Sequence, residues 1–300
     1  MECDDLKMKL EFPSAGLSAT LSPSDGERAG VRGDMALAVA VALSLAGLVG
    51  CTTSHHGQPL TPTTVQTVTT KVPFEIGDAV VTAEVFQHGK LVPTMLNVHD
   101  NENTSVAAGN VIIQLSGGRL IRLAHGDRRL VTFNLNGQRY AFDPNRIFSD
   151  AGIRDTLDRQ SLYSEAAHRA IKKFATQYLA RFALERERVI IALHNNGEGF
   201  SIRIYQPGGE HANAAAAVHV SGQRSPHDFF YVTDSRFFDY LKQRDFNVVL
   251  QDNAAIPDDG SLSIFFARKK IPYLNIEAGM EHLNEQIEMV RVAREMLDDL

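Results

Sequence analysis

The sequence predicts a single-domain α/β protein with a mixed, mostly parallel central sheet flanked by helices, plus antiparallel hairpins around residues 111–142. Short apolar runs rich in β-branched residues interleave with amphipathic helical patterns through the second half of the chain. Polar residues stand at the ends of several apolar runs, as at the strand ends of α/β sheets. With 300 residues, 44% of them hydrophobic, the chain is long enough to bury one large core.

The hairpins are predicted from turn residues between the first strand candidates. Asn136-Gly137 favours a tight two-residue hairpin, and His125-Gly126-Asp127 predicts a second turn. Hairpin-connected strands pair antiparallel, so we expect antiparallel pairing in this section. The strand candidates are 79–86, 111–115, 119–124, 130–135 and 138–142.

Helices and strands alternate in the second half. Residues 164–183 place apolar side chains at helical spacing, and residues 281–300 repeat this pattern in a final helix. A short helix is expected at 235–241, between strands at 229–232 and 247–250, and a hairpin-like segment at 200–205.

The first 51 residues are predicted to be an N-terminal extension and a lipoprotein signal peptide. Residues 36–49 are almost entirely Ala, Val and Leu, which is short for a membrane span but typical of the apolar region of a signal peptide. Arg28 and Arg32 provide the positive flank. The run ends at Leu48-Val49-Gly50-Cys51, which resembles a bacterial lipoprotein processing site and implies a lipid on Cys51. A buried apolar helix ending in an inert cysteine is the alternative.

Residues 52–71 are rich in Thr, Ser, Pro and Gly, the composition of a flexible tether. The folded domain is therefore expected to span residues 72–300. Together with the signal peptide, this arrangement predicts a protein anchored in the bacterial cell envelope, facing the periplasm or the exterior.

Charge and cysteine content bear on the partners, the disulfides and the metal ligands that the domain can have. A formal net charge of −6 argues against a nucleic-acid partner. Cys3 and Cys51 both precede the predicted domain, so neither a disulfide framework nor a cysteine metal site is available to it. A metal site in the domain must use histidine and carboxylate ligands.

Two apolar runs end on histidine. Residues 95–98 lead into His99, with Glu102 three residues later, and residues 189–193 lead into His194. A turn after the first run would let His99 and Glu102 reach one metal ion. His194 would complete a His-Glu-His set, which leaves zinc a fourth position for water. Satisfied histidines at strand ends and an ordinary helix charge are the alternatives for these residues taken singly.

A third apolar run, residues 273–276, ends on Glu277. A glutamate beside zinc and shielded from solvent can take a proton from the attacking water and pass it to a leaving amine. Glu277 is therefore the candidate general base and acid. A carboxylate near the start of the last helix is its alternative role.

The order of these residues resembles the zinc carboxypeptidase family and its relatives, the succinylglutamate desuccinylase and aspartoacylase group. That family has a His-x-x-Glu pair, an Asn-Arg pair, a third ligand histidine at a strand end, and a late catalytic glutamate. Roughly residues 75–300 follow this order, with His99, Glu102, Asn145, Arg146, His194 and Glu277 at the matching positions.

The resemblance implies a zinc ion on His99, Glu102 and His194, with Glu277 as the catalytic residue. Asn145 and Arg146 would bind substrate, since the planar guanidinium of arginine matches a free carboxylate. Arg128 or Arg129 falls where the family places a further arginine that polarises the substrate carbonyl, and Arg129 is taken as the candidate. The family's mobile tyrosine is missing from residues 259–266, and Tyr231 and Tyr273 are the nearest candidates.

The predicted function is a zinc-dependent hydrolase that cleaves an amide bond adjacent to a carboxylate, in a cell-wall peptide or an imported one. Two alternatives remain. A deacylase acting on an N-acyl amino acid would need a closed pocket instead of an open groove. A non-catalytic envelope lipoprotein would use the cleft only to bind a peptide or a metal.

Overall fold

The computed structural model describes residues 67–90 and 93–299, and these form a nine-stranded mixed sheet, a separate two-stranded hairpin and the helices that cover them. The strands are β1 (Val68–Ile76), β2 (Ala79–His88), β3 (Thr94–Asn97), β4 (Gly118–Ala124), β5 (Val131–Leu135), β6 (Gln138–Phe142), β7 (Ile190–Asn196), β8 (Ala215–His219), β9 (Phe229–Val232), β10 (Val248–Gln251) and β11 (Tyr273–Gly279). The helices are α1 (Asn103–Ser116), α2 (Asp150–Gln160), α3 (Glu165–Arg181), α4 (Ser235–Gln243), α5 (Leu262–Arg268) and α6 (Leu283–Asp299).

The predicted mixed sheet is confirmed. Its strand order is β1-β2-β4-β3-β7-β11-β9-β10-β8, with β5 and β6 forming the hairpin. The central neighbours β4, β3, β7 and β11 run parallel, and antiparallel pairs flank them. Every residue of β7 and β11 is buried, as expected for parallel strands covered on both faces.

Each face of the sheet packs against its own helices. On one face, apolar residues of α1, α4 and α6 form a core with alternate residues of the central strands. On the other face, α2, α3, α5 and the β5–β6 hairpin cover the remaining alternate residues. Helix α3 begins where predicted, because the Ser164 side chain accepts a hydrogen bond from the Ala167 backbone N–H and so caps the first turn.

The hairpin prediction at Asn136-Gly137 is confirmed. Asn136 and Gly137 both have positive φ, 53° and 77°, as a two-residue turn between twisted strands requires. His125-Gly126-Asp127 also turns, but it leads from β4 in the large sheet to β5 in the small one, and so closes no hairpin. The Asp100 carboxylate holds this turn by accepting the backbone N–H groups of His125 and Asp127 at 2.6 and 2.7 Å.

Two local predictions were wrong. Residues 111–115, predicted as a strand, form the end of α1, because Val106, Ile112 and Ile113 share one buried face at helical spacing. Residues 200–205, predicted as a hairpin, end in the 3-10 helix Ile202–Tyr205. In both segments a short β-branched apolar run satisfies strand and helix patterns alike, so the packing partner decides the conformation.

The folded part begins earlier than predicted. Residues 68–71, assigned to the end of the tether, belong to β1 and pair with β2. The predicted signal peptide, Cys51 and residues 52–66 lie outside the described residues. None of the helices within residues 67–90 and 93–299 has the length and apolar character needed to cross a membrane.

Candidate metal centre

The candidate site lies at the carboxyl ends of three neighbouring parallel strands. β3 leads into His99, β7 contains His194, and β11 contains Glu277. His194 and Glu277 are register partners in the β7–β11 ladder, so their side chains leave the same face of the sheet. Glu102 caps the start of α1, which follows β3 directly. The crevice outside the carboxyl ends of parallel strands is where α/β sheets place their ligands.

The structure brings together the three residues predicted to hold a metal. His99 Nδ1 lies 2.8 Å from Glu102 Oε1 and 3.2 Å from His194 Nδ1. His194 Nδ1 lies 2.9 Å from Glu102 Oε2. The three side chains are at most 1% exposed. Two imidazole nitrogens and a carboxylate thus point at one place.

This cluster fits a zinc ion. The ligand atoms all lie within 4.8 Å of one another. Tetrahedral zinc with bonds of about 2.0–2.1 Å holds neighbouring ligand atoms about 3.3 Å apart. The distances of 2.8 to 3.2 Å between the ligand atoms are slightly shorter than this, so a small outward movement of each side chain would accommodate the ion.

Asp143 orients the first histidine. Its Oδ1 lies 2.9 Å from His99 Nε2, the ring nitrogen opposite the one in the cluster. A carboxylate on the far nitrogen of a metal-binding histidine fixes the ring and raises its basicity as a ligand. Although burial would raise the pKa of Asp143, the charges of His99 and Arg129 hold it well below its ordinary range. Asp143 therefore remains ionised while it orients His99.

Glu102 is also held as an anion. Burial alone would raise the pKa of this carboxyl, but His99 and His194 outweigh burial and lower it far below its ordinary value. Arg129 lies beside this group, with one guanidinium nitrogen 3.3 Å from Glu102 Oε1 and another 3.3 Å from Asp143 Oδ2. Arg129, which was the candidate, faces the cluster, whereas its neighbour Arg128 is exposed.

Glu277 lies on the same face, fully buried. Its carboxylate accepts hydrogen bonds from the side-chain amides of Asn275 at 3.0 Å and Asn196 at 3.3 Å. Burial raises the pKa of Glu277, Glu102 adds to this effect, and His194 opposes it. A carboxylate with a raised pKa is a stronger base, which suits a group that must take up a proton and release it again.

The predicted Asn145-Arg146 pair is buried against α5. The Asn145 side-chain oxygen accepts the Leu262 backbone N–H at 3.1 Å, and the Asn145 backbone N–H donates to Asp143 Oδ1 at 2.7 Å. Arg146 donates to the Asn145 carbonyl at 2.9 Å, and its Nε lies 3.9 Å from Asp259 Oδ2. Asp143 thus links this pair to the cluster of candidate metal ligands.

Sequence reasoning missed the polar residues that support the cluster from the opposite face of the sheet. Gln286 of α6 donates to the His194 carbonyl at 2.9 Å and accepts from Asn195 Nδ2 at 2.9 Å. Asn195 in turn accepts the Ser105 backbone N–H at 2.8 Å, and the Ser105 hydroxyl donates to the Glu102 carbonyl. Polar residues within strands that are otherwise fully apolar were the available signal, because a buried polar group requires a partner.

Similarity to known proteins is found among solved structures. No family model matches the chain, and no curated protein matches it. Similar solved structures include an aspartoacylase family protein from Mesorhizobium loti, 14% identical over 80% of this chain and 69% of that one, with a TM-score of 0.40. Another is N-formylglutamate amidohydrolase from Ralstonia eutropha JMP134, 12% identical over 71% of this chain and 96% of that one, with a TM-score of 0.32.

At these identities and TM-scores the likenesses establish no activity for this chain. The fold and the site by themselves define an α/β protein with a candidate His-Glu-His metal centre and a buried carboxylate beside it.

Proposed function

We propose that this protein is a zinc-dependent hydrolase that cleaves an amide bond adjacent to a free carboxylate. The observation that carries this proposal is the convergence of His99, Glu102 and His194 at one end of the sheet, with Glu277 opposite His194 in the neighbouring strand. A His-Glu-His set and a nearby buried glutamate together provide a metal site and a proton acceptor. The motif order in the sequence supports the same function.

The residues divide the chemistry between them. When bound, zinc would supply Lewis-acid chemistry, polarising the amide carbonyl and acidifying water. Glu277 takes a proton from the attacking water while the water oxygen bonds to the carbonyl carbon. Glu277 then returns that proton to the amide nitrogen when the C–N bond breaks. Asp143 keeps the His99 ring oriented throughout. In this scheme Arg129, beside Glu102, polarises the substrate carbonyl, and Arg146 binds the free carboxylate.

The substrate class is narrowed by burial. His99, Glu102 and Glu277 have no exposed surface. A small substrate needs a much narrower opening to reach such buried groups than a long peptide, which needs an open groove across the strand ends. Within the proposed function we therefore favour an N-acyl amino acid with a free carboxylate over a peptide of a cell-wall polymer. A non-catalytic protein that binds a metal or a peptide is the remaining alternative, and retained zinc without any cleavage would distinguish it.

Arg146→Ala is expected to raise KM for substrates with a free carboxylate by about tenfold or more, with little effect on carboxylate-blocked analogues, because a charged hydrogen-bond partner is lost. A screen of peptides and N-acyl amino acids, each free and amidated, identifies the best substrate for these kinetics. Arg139→Ala, an exposed arginine in the β5–β6 hairpin, is the control. Since Arg146→Ala leaves the buried Asp259 without its nearby cation, Arg146→Lys and thermal melting are measured alongside. Equal KM changes for free and blocked substrates would contradict the role of Arg146.

We further propose that the chain is a lipoprotein of the bacterial envelope, attached through Cys51, on the strength of the apolar run and the tether composition. Cys51→Ser is expected to abolish lipid labelling and to shift the protein out of the membrane fraction. Mass spectrometry of that fraction from the native host measures both. An unmodified Cys51 with residues 1–50 still attached would refute the anchor and leave the hydrolase proposal intact.

A further inference from the structure

A cavity lies at the opposite end of the strands that carry the candidate metal centre. It has a volume of about 290 Å³, and its walls include Pro93, Val189 and Pro272, the residues directly before β3, β7 and β11. Because a strand rises about 3.3 Å per residue, Val189 lies roughly 16 Å from His194 along the direction of β7. The cavity is therefore separate from the metal centre.

The walls of this cavity are largely apolar. Besides Pro93, Val189 and Pro272, α4 contributes Phe237, which is 3% exposed, and α6 contributes Leu297. A ligand that places apolar atoms against these side chains removes those atoms from water, which is favourable. The volume lies at the lower end of the range for small-molecule sites, so the cavity fits a short aliphatic chain or a single aromatic ring.

Two arginine side chains in the cavity wall have no carboxylate partner. Among the residues that the structure describes, the Arg188 side chain makes no hydrogen bond and no ion pair. Within the same residues, Arg294 donates to the Gly117 carbonyl at 2.5 Å and pairs with no carboxylate. A guanidinium group carries five N–H donors, so both side chains retain donors for a ligand.

The other charged side chains of the wall leave the cavity with a net positive charge. Glu187 pairs with Arg119 at 2.6 Å, and Arg236 pairs with Asp234 at 2.7 Å, so the charges of both wall residues are offset. Asp298 is the one carboxylate of the wall without a partner in residues 67–90 and 93–299. Two free guanidinium groups therefore face one free carboxylate. This balance attracts one negative charge and disfavours a second.

We propose that this cavity binds a monocarboxylate with a short aliphatic or aromatic body. The carboxylate accepts hydrogen bonds from Arg188 and Arg294, whose planar guanidinium groups match it, and the body packs against Phe237 and Leu297. Because Arg188 is exposed, water screens its charge, and the apolar contacts must supply part of the affinity. An inorganic anion lacks those contacts. The cavity shares no residue with the metal centre, so this inference does not depend on the proposed hydrolase function.

The test is calorimetric titration of octanoate and 4-phenylbutanoate into the full-length protein, each compared with its carboxamide. The wild type is expected to bind both acids with a Kd of about 1 mM or tighter, and the carboxamides at least about tenfold more weakly. Arg188→Glu should weaken binding of the acids by about tenfold or more, since it removes a charged donor and adds a repelling carboxylate. Arg186→Glu makes the same charge change at an exposed arginine outside the wall and should bind as the wild type does.

Arg146→Ala separates this cavity from the metal centre, the other candidate place for a carboxylate, and should leave binding of both acids unchanged. Loss of binding in Arg146→Ala but not in Arg188→Glu would place the acids at the metal centre and overturn the inference. Equal weakening in Arg188→Glu and Arg186→Glu, equal affinity for acid and carboxamide, or a wild type that binds neither acid would overturn it as well. Thermal melting of each variant, with Arg188→Gln as a milder change that should weaken the acids less, shows that lost binding is not lost folding.

Discussion

Glu277→Gln is expected to lower kcat by about a hundredfold or more, the usual scale for losing a general base. The substitution keeps the size of the side chain but removes its ability to accept a proton. Zinc content is expected to remain at the wild-type level, because Glu277 is not among the three clustered ligands. The measurement is steady-state kinetics on the best substrate from the screen, with zinc determined on the same samples.

The control for this change must separate chemistry from folding. In Glu277→Gln the new amide nitrogen faces one of the two asparagine donors that now hold the carboxylate, so thermal melting is measured as well. Glu285→Gln, an exposed glutamate in the first turn of α6, is the matched control and should behave as wild type. Wild-type turnover in Glu277→Gln, on a substrate that the zinc-free protein cannot cleave, would show that another group is the base.

His99→Ala and His194→Ala are each expected to reduce bound zinc from about one ion per chain to a small fraction, since each removes one of three ligands. Activity should fall with the metal. Elemental analysis of purified protein measures the zinc, and added zinc should raise the melting temperature of the wild type but not of the variants. The wild type is expected to gain stability because zinc would bind the folded cluster more tightly than the unfolded chain.

His219→Ala is the control, because His219 lies on β8, where its imidazole pairs with Asp245 at 3.0 Å, away from the cluster. It should retain wild-type zinc. Equal zinc in the wild type, His99→Ala and His194→Ala would remove both histidines from any metal site. Full zinc in the wild type without cleavage of any substrate in the screen would instead favour the non-catalytic binding protein.

The strands that carry the site were predictable because they are short, apolar and end on a polar residue. Residues 95–98, 189–193 and 273–276 correspond to β3, β7 and β11 to within a few residues. Strands with one exposed face alternate apolar and polar residues. These strands are buried on both faces, so their sequences are continuous apolar runs. Residues 111–115 form a similar short apolar run, yet they lie within α1. Local composition does not report whether such a run packs as a helix or pairs as a strand.

By itself, the sequence determined the α/β class, most strands of the large sheet but not β1 or β8, and the residues at the ends of the central strands, because hydrophobic periodicity and turn chemistry are local properties of the chain. The tertiary structure alone decided which of those residues meet. His99 and His194 are 95 positions apart, and their contact depends on β3 and β7 being neighbours in a sheet whose order differs from the order of the chain. The same holds for the contact between Asp143 and His99. No local pattern encodes these pairings, because they arise from strand order and the shared faces of opposed residues.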